Sequence, residues 1–255
     1  MRRIALLLEY DGSAYGGSQV QRNAPSIQAE LERAIRQLTG ETVRAVFAGR
    51  TDAGVHALGQ VAAFTTGARH DIATFVRGLN ALLPKDIAVR AAVEAPPGFD
   101  PRRHARSRRY RYLIWNAPER SPLRRRVMWH VRVPLDEARM AREAAALVGE
   151  HDFASFGASP GPGRSTARRM LHAEVRRQGD CIAVEMEANA FLPHQVRRTV
   201  GALVEVGCAR LPEGTFHRWL DEPRPGTAGP AAPPHGLVLV QVTYDGGGPL
   251  PRPVS

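Results

Sequence analysis

The sequence predicts an α+β protein made of two β-α-β-β-α-β halves, each of the split ferredoxin-like type. Apolar residues change repeatedly between the period of a strand and the period of a helix. The resulting order, strand-helix-strand-strand-helix-strand, occurs twice along the 255 residues. No residue-level repeat relates the halves, so the prediction of two halves depends on the order of elements alone.

In the first half, strands are predicted at residues 3–9, 44–48, 60–65 and 87–93. Ser26 and Asp71 are suitable N-caps for two intervening helices, because a short side chain with an oxygen can accept hydrogen bonds from the first turn. Each helix has an apolar face with a spacing of three or four residues: Ile27, Leu31, Ala34, Ile35 and Leu38 in the first, and Ile72, Phe75, Val76, Leu79 and Leu83 in the second.

In the second half, strands are predicted at 109–115, 169–176, 181–187 and 237–244, with an extra strand at 127–133. One helix has Met140, Ala144, Leu147 and Val148 on a shared face. The next helix contains Val196, Val200, Leu203 and Val204, with Gly207 as its predicted C-cap. A short helix is predicted near 214–221. The Gly- and Pro-containing stretches 10–25, 158–166 and 221–236 are predicted to be irregular. The domain boundaries expected from this map are 1–105 and 106–245, followed by a frayed tail, 246–255.

The charge balance points to a polyanionic partner. The formal net charge is +10, Lys85 is the only lysine, and ten arginines with one carboxylate, Glu119, lie between residues 102 and 126. Such a stretch favours a phosphate-rich partner, although a solvated basic face is the alternative. Tyr110, Tyr112 and Trp115 are interleaved with the arginines, which favours RNA or single strands, whose bases stack on aromatic rings.

Several classes of protein are disfavoured by the sequence. No apolar run reaches about 18 residues, and the N-terminus resembles a first strand more than a signal peptide. Cys181 and Cys208 lie in apolar stretches, as expected of core thiols in a reducing cytoplasm. Asp52 and His56 are four residues apart, but Gly49 and Gly54 argue against the helix that would bring both to one metal. Because nucleotide-binding glycine loops are absent too, any reaction is expected to use ordinary side chains.

The most informative segment is 48–56, Ala-Gly-Arg-Thr-Asp-Ala-Gly-Val-His. It places Asp52 on a tight loop between two predicted strands, where glycines allow another backbone or a ligand to approach closely. Arg50 is near enough in sequence to pair with Asp52 and fix its direction. From these residues alone, Asp52 is either a catalytic carboxylate or an ordinary turn residue that binds its own backbone.

Segment 48–56 resembles the signature of the tRNA pseudouridine synthase A family. Further blocks resemble this family in the family order, so that the likeness runs from about residue 3 to residue 244. These blocks are 10–12 (Tyr-Asp-Gly), 108–112 (Arg-Arg-Tyr-Arg-Tyr), 149–153 (Gly-Glu-His-Asp-Phe), 189–192 (Asn-Ala-Phe-Leu) with Val196-Arg197, and 236–237 (Gly-Leu).

The resemblance implies an isomerase that detaches uracil from its ribose, turns it and rejoins it through carbon, at positions 38, 39 and 40 of the tRNA anticodon stem-loop. It implies Asp52 as the catalytic aspartate, Tyr110 as the residue that stacks on the flipped-out base, and Arg50 and Arg197 as basic residues lining the site. It also implies neither metal nor organic cofactor, and a homodimer. The implied fold joins two ferredoxin-like halves through an extended antiparallel sheet, with the active-site cleft between them.

Two positions depart from the family pattern. Ser18 stands where the family usually has tryptophan, which puts a packing or RNA contact in doubt. Asp100 stands where a histidine is usual, so no role of that histidine transfers. Whether Asp52 attacks the sugar, attacks the base or removes a ribose proton is left open by the sequence. The alternative function is a non-catalytic RNA-binding module with two RNA-recognition-like sheets.

Overall fold

The computed structural model describes residues 1–248 and Leu250. Within that part of the chain, the protein is a mixed α+β structure with mostly antiparallel strand pairs. In chain order its strands and α-helices are β1 (Arg2–Tyr10), α1 (Ile27–Thr39), β2 (Val46–Phe47), β3 (His56–Thr66), α2 (Ile72–Leu82), β4 (Ile87–Ala95), β5 (Ala105–Trp115), β6 (Trp129–His130), α3 (Glu137–Ala145), β7 (Gly149–Asp152), β8 (Ala167–Gln178), β9 (Cys181–Ala188), α4 (Gln195–Gly207), α5 (Thr215–Asp221) and β10 (Leu237–Tyr244). No helix in the described residues is both long and apolar enough to cross a membrane.

The chain forms two compact units, one from Met1–Arg108 with the segment from Val238 onward, and the other from Arg109–Leu237. The predicted division was at 105/106 and assigned the last strand to the second half. In the structure β10 belongs to the first unit, because Val238 and Leu239 pair in parallel with His56 and Ala57 of β3. The pairing partner of a terminal strand depends on contacts distant in sequence, which periodicity does not encode.

In the first unit, β1 lies between β4 and β3 and pairs with both in antiparallel register. The other edge of β3 carries β2 along its second half and β10 at its start. The apolar run of β1 is fully buried, as a strand covered on both faces should be. The segment that joins β2 to β3 therefore leads into a strand that is paired on both edges.

The predicted helix starts of the first unit are confirmed. Ser26 Oγ accepts a hydrogen bond from the Ala29 N–H at 3.2 Å, and Asp71 Oδ1 accepts one from the Thr74 N–H at 2.6 Å. Each cap satisfies a backbone donor that the first turn leaves unpaired. Helix α1 ends at Gly40, which adopts the left-handed conformation with φ 75°.

In the second unit, the strand order is β5-β9-β8-β7, and the short strand β6 pairs in parallel with β5. The 127–133 strand is thus reduced to two residues, Trp129 and His130. Helix α3 packs against β8 and α4. An aromatic cluster, consisting of Phe153, Phe156, Phe216 and Trp219, connects the short helix α5 to the rest of this core.

Two local predictions in the second unit are wrong. Val148 does not share the buried face of α3, because the helix ends at Ala145 and Val148 is 48% exposed. Gly207 is not a left-handed cap: it is the last residue of α4, and the positive φ (57°) belongs to Ala209. The glycine is there for space, since a Cβ at residue 207 would lie 2.9 Å from Met140 Sδ.

The irregular stretches contain only short 3₁₀ turns, at Gly12–Ala14 and Pro234–Gly236. Of the predicted tail 246–255, Gly246–Gly248 and Leu250 are described, and the remaining positions lie outside the described residues.

Candidate active site

Asp52 lies on the loop that joins β2 to β3, as predicted. The Val55 N–H donates to the Asp52 carbonyl at 3.1 Å and closes a turn in which Gly54 has φ 77°. A left-handed residue at this point favours glycine, because a Cβ would clash with the backbone. The Asp52 side chain is half-buried, while its neighbour Ala53 is exposed. We call residues 48–55 the aspartate loop.

The aspartate loop is held by the segment that follows β1. Gly17 forms an isolated antiparallel bridge with Asp52 itself, and the Ser18 N–H donates to the Thr51 carbonyl at 3.0 Å. The Ser18 hydroxyl in turn accepts from the Thr51 N–H at 2.9 Å. Ser18 is 1% exposed, so this position, where the family usually has tryptophan, supports the loop backbone in this chain.

Two glycines make this close packing feasible. A Cβ on Gly12 would lie 2.0 Å from the Val55 carbonyl oxygen, which no side chain can occupy. A Cβ on Gly17 would lie 2.8 Å from the Thr51 carbonyl oxygen, and Gly17 also has φ 122°. The Asp-Gly and Gly-Gly pairs of the irregular stretch therefore bring two backbones together at the aspartate loop.

A network of hydrogen bonds between buried polar side chains also holds the aspartate loop. Gln60, fully buried on β3, donates from Nε2 to the Gly49 carbonyl at 2.8 Å and to the Tyr10 hydroxyl at 3.3 Å. The Tyr10 hydroxyl and Thr51 Oγ1 are 2.8 Å apart. Burial raises the pKa of Tyr10 to about 12. The Tyr10 hydroxyl keeps its proton at neutral pH, and either it or the Thr51 hydroxyl is the donor in the bond between them.

Arg108 holds the start of the aspartate loop. Arg108 is 9% exposed, and its guanidinium donates from Nη2 to the Ala48 carbonyl at 2.9 Å and to the Arg102 carbonyl at 2.6 Å. A guanidinium has five N–H donors in a rigid plane and so can bind several carbonyls at once. Sequence reasoning missed the positioning roles of Arg108 and Gln60. The only sequence signal for Gln60 is a lone amide inside an apolar strand.

Arg50, predicted to line the site, is exposed on the rim of a pocket in the first unit. Arg44 and Arg102 line the same pocket, whose volume is about 140 Å³. Asp52 and Arg50 both belong to the first unit, whereas Tyr110 and Arg197 belong to the second.

Tyr110 lies on β5 and is 8% exposed. Its ring meets Phe191 edge to face, with the centroids 5.3 Å apart and the planes at 90°. This geometry is favourable for an aromatic pair and restricts the direction of the tyrosine ring. Phe191 lies in the 189–192 block, which the sequence identified without assigning a role.

Arg197 lies in the first turn of α4 and is half-buried. Its Nε donates to the Ala232 carbonyl at 2.8 Å, and the Ala232 N–H donates to the Arg197 carbonyl at 2.9 Å. The side chain is therefore anchored to the long connection before β10, and it is not a freely solvated helix residue.

The arginine-rich stretch 102–126 is partly neutralised within the protein. Arg109 and Arg111 each form an ion pair at 2.7 Å with a glutamate of β9, Glu187 and Glu185 respectively. Arg106 pairs with Asp245. The prediction that this stretch repels itself without a polyanion overestimated the free charge, because cross-strand partners cannot be recognised from local sequence.

The aromatic residues of this stretch also differ from the prediction. Tyr112 is fully buried and donates to the Pro233 carbonyl at 2.7 Å, so it offers no face to a base. Burial raises the pKa of its hydroxyl. The Trp115 ring is covered by the Arg124 guanidinium, 4.3 Å from the ring centroid. Of the three aromatics, Tyr110 remains the candidate for stacking.

Both cysteines are free thiols and are half-buried, and burial raises the pKa of each. A raised pKa lowers the thiolate fraction, so neither is activated as a nucleophile. Within the described part of the chain, no group of three or more His, Cys, Asp or Glu side chains is placed to hold a metal ion.

Comparison with known proteins identifies the family. A family model described as tRNA pseudouridine synthase matches residues 7–102 and 144–245. The tRNA pseudouridine synthase A of Geotalea uraniireducens (strain Rf4) is 46% identical over 244 residues, covering 96% of this chain and 100% of the relative. That of Myxococcus xanthus is 46% identical over 254 residues, covering 99% and 96% respectively. That of Geobacter sulfurreducens is 47% identical over 244 residues, covering 96% and 100%.

Among solved structures, a chain of a Cbf5–Nop10–Gar1 complex matches 81% of this chain and 55% of its own length at 14% identity, with a TM-score of 0.33. That likeness is too weak to support an argument about this chain. The sequence matches, by contrast, define the class of protein as an RNA-modifying isomerase. The chain belongs to the tRNA pseudouridine synthase family, and its activity is the isomerisation of uridine in tRNA.

Proposed function

We propose that Asp52 is the catalytic carboxylate and that the enzyme acts on uridines 38, 39 and 40 of the tRNA anticodon stem-loop. The fixed backbone of the aspartate loop carries this proposal. Asp52 is bridged to Gly17, and its neighbour Thr51 is bound by Ser18 on both its N–H and its carbonyl. Such fixation is expected where a carboxylate must be aimed at a reacting atom within a few tenths of an ångström.

The reaction breaks the bond between ribose C1′ and uracil N1 and forms a bond between C1′ and C5. The C5 hydrogen leaves as a proton and N1 takes up a proton, so that uridine and pseudouridine are isomers. No electrons are gained or lost, and one well-placed carboxylate acting as nucleophile or base meets the requirement. We accordingly propose that the enzyme needs neither metal nor organic cofactor.

The target uridine must leave the base stack before its C5 is reachable, which costs about a few kcal/mol. Stacking on Tyr110 would return about 1–3 kcal/mol. The edge contact with Phe191 supports this role, because it fixes the ring before the base arrives. Arg50 and Arg197 are proposed as the basic residues that bind the RNA near the target.

Each half of the chain is proposed to derive from a ferredoxin-like unit. In support, the first unit has the order β1-α1-β2-β3-α2-β4, with strands arranged β4-β1-β3-β2. The second unit has the order β5-α3-β8-β9-α4, with β6, β7 and α5 as additions, and β10 follows it in the chain. The enzyme is further proposed to act as a homodimer in the cytoplasm.

The test is Asp52→Asn, which keeps the shape of the side chain and removes its charge. Unmodified tRNA carrying tritium at uridine C5 should release tritium with the wild-type protein, and Asp52→Asn should release none while still binding the tRNA. Asp180→Asn, a change of the same kind at an exposed aspartate in the β8–β9 turn, is the matched control and should release tritium at the wild-type rate.

Nucleotide-resolution mapping of the product should place pseudouridine at 38, 39 and 40. Wild-type activity in Asp52→Asn would show that the carboxylate is not catalytic. No tritium release from any tRNA with uridine at these positions would instead favour the non-catalytic RNA-binding alternative.

A further inference from the structure

The pocket beside the aspartate loop is lined by three arginines. Its volume of about 140 Å³ is roughly ten times the ~10–15 Å³ that holds one water molecule. The lining includes Arg44, Arg50 and Arg102 at the rim, with Ser18, Gln28 and Phe47 among the other residues. Among the described residues, no carboxylate lines the pocket.

The three guanidiniums have no acceptor among the residues that the structure describes. Within the described residues, no hydrogen bond or ion pair of the Arg44, Arg50 or Arg102 side chain is found, and all three residues are exposed. Elsewhere in this chain arginines find carboxylates, as Arg109 does with Glu187. Three cations that converge without a counter-ion create a positive potential that attracts an anion.

Two polar side chains of the pocket lining, Ser18 and Gln28, are already hydrogen-bonded within the protein. Ser18 Oγ accepts from the Thr51 N–H, and Gln28 Nε2 donates to the Ala45 carbonyl at 3.2 Å and to Glu32 Oε1 at 2.8 Å. Gln28 Oε1 accepts from the Val20 N–H at 3.2 Å. The donors left for a ligand are therefore the arginine N–H groups at the rim and the side-chain amide of Gln19, which also lines the pocket.

The pocket adjoins the proposed catalytic residue along the chain. Arg50 is two residues before Asp52, so their Cα atoms are at most about 7 Å apart. That distance is comparable with the span of one or two nucleotides at about 3.4 Å per nucleotide along a strand. The backbone positions of Arg50 and Asp52 are therefore close enough for one RNA strand to reach both residues.

We propose that this pocket binds a backbone phosphate of the RNA strand next to the uridine being isomerised, with Arg44 and Arg102 as ligands together with Arg50. The proposal rests on the proposed role of Asp52. Planar guanidiniums bind phosphate oxygens through paired N–H groups, which positions a strand without reading its sequence. The phosphate contact holds the strand in register while the base turns out of its stack.

The first experiment compares Arg44→Gln/Arg102→Gln with Arg36→Gln/Arg77→Gln. The control removes the same charge from exposed arginines on α1 and α2, outside the pocket. Binding to an unmodified anticodon-arm RNA is measured as a function of salt. The pocket variant should bind about tenfold more weakly, with a salt slope smaller by about 0.7 for one released phosphate contact on a single strand. The control should stay within about twofold of wild type.

The second experiment changes the RNA and leaves the protein intact. Neutral methylphosphonate linkages are placed one at a time around the target uridine. One linkage should weaken wild-type binding about tenfold and have no effect on the pocket variant, because the partner of that phosphate is already missing.

Equal losses in the pocket variant and the control, or a scan in which every linkage affects both proteins alike, would overturn the proposal. The proposal would also be overturned if the pocket bound inorganic phosphate but the RNA did not compete for it, because the pocket would then be a site for free phosphate. If the pocket proposal fails while wild-type protein still releases tritium and Asp52→Asn does not, the role of Asp52 stands. If Asp52→Asn remains active, the role of Asp52 fails irrespective of the pocket.

Discussion

Replacing Gly12 by alanine should disable the enzyme although Gly12 bears no functional group. The new Cβ would lie 2.0 Å from the Val55 carbonyl oxygen and 2.6 Å from its carbon. Ordinary contact starts at 3.4 Å, so the two backbones must separate by about 1.4 Å. Val55 closes the turn on Asp52, and the displacement is therefore transmitted to the carboxylate. A shift of about 1 Å in a reacting group can cost on the order of a hundredfold in rate.

The expected result is a fall in kcat of about a hundredfold, with a loss of about 1–3 kcal/mol in the free energy of unfolding from overpacking. Single-turnover tritium release and urea unfolding measure the two quantities. Gly40→Ala is the control: Gly40 has φ 75° and nothing within 4 Å of its would-be Cβ, so it should cost about 1 kcal/mol of stability without changing kcat. Wild-type kcat in Gly12→Ala would refute the reasoning that this contact aims Asp52.

Two more predictions concern the residues around the site. Tyr10→Phe should lower the free energy of unfolding at pH 8 by about 1–3 kcal/mol, because Gln60 and Thr51 lose their shared partner. Burial raises the pKa of Tyr10 from 10.0 to about 12, so the stability that its neutral hydroxyl contributes is present below pH 10 and is lost between pH 10 and pH 12. The difference in the free energy of unfolding between wild type and Tyr10→Phe, measured by urea titration, should therefore close over this pH range. A difference that stays constant with pH would contradict the prediction. Phe191→Leu removes the edge contact with Tyr110, which is worth about 0.5–1.5 kcal/mol, and should lower kcat/KM about twofold to tenfold. The affinity for tRNA that comes from phosphates far from the target should not change. An unchanged kcat/KM would argue that Phe191 does not position the Tyr110 ring.

The sequence predicted the elements of the first unit because their signals are local. The caps at Ser26 and Asp71 and the helical spacing after them need only neighbouring residues, and both helices are found where predicted. The last strand was predicted with its observed bounds, Leu237–Tyr244, but its pairing with the start of β3 was not predicted. A strand can be predicted from its own residues, whereas the strand with which it pairs depends on contacts between residues far apart in the sequence.

In the candidate site, too, the features set by neighbouring residues were predicted and those set by distant residues were not. The loop carrying Asp52 was predicted from two glycines between apolar strands, and the family resemblance implied that Asp52 is the catalytic aspartate. What fixes the loop was not predicted, because Gly12, Ser18 and Gln60 act across long sequence separations. Ser18 in particular looked like a lost contact, whereas it bonds the backbone of the neighbouring loop.

The parallel pairing of β10 with the start of β3 has a consequence for how the enzyme is made. The paired residues Ala57 and Leu239 are 182 positions apart, and ribosomes add about 5–20 residues per second. The start of β3, just after the aspartate loop, is therefore synthesised about 9 to 36 s before β10, with which it pairs. An unpaired edge invites association with other chains, so this interval is the time at which a newly synthesised molecule is most exposed to aggregation.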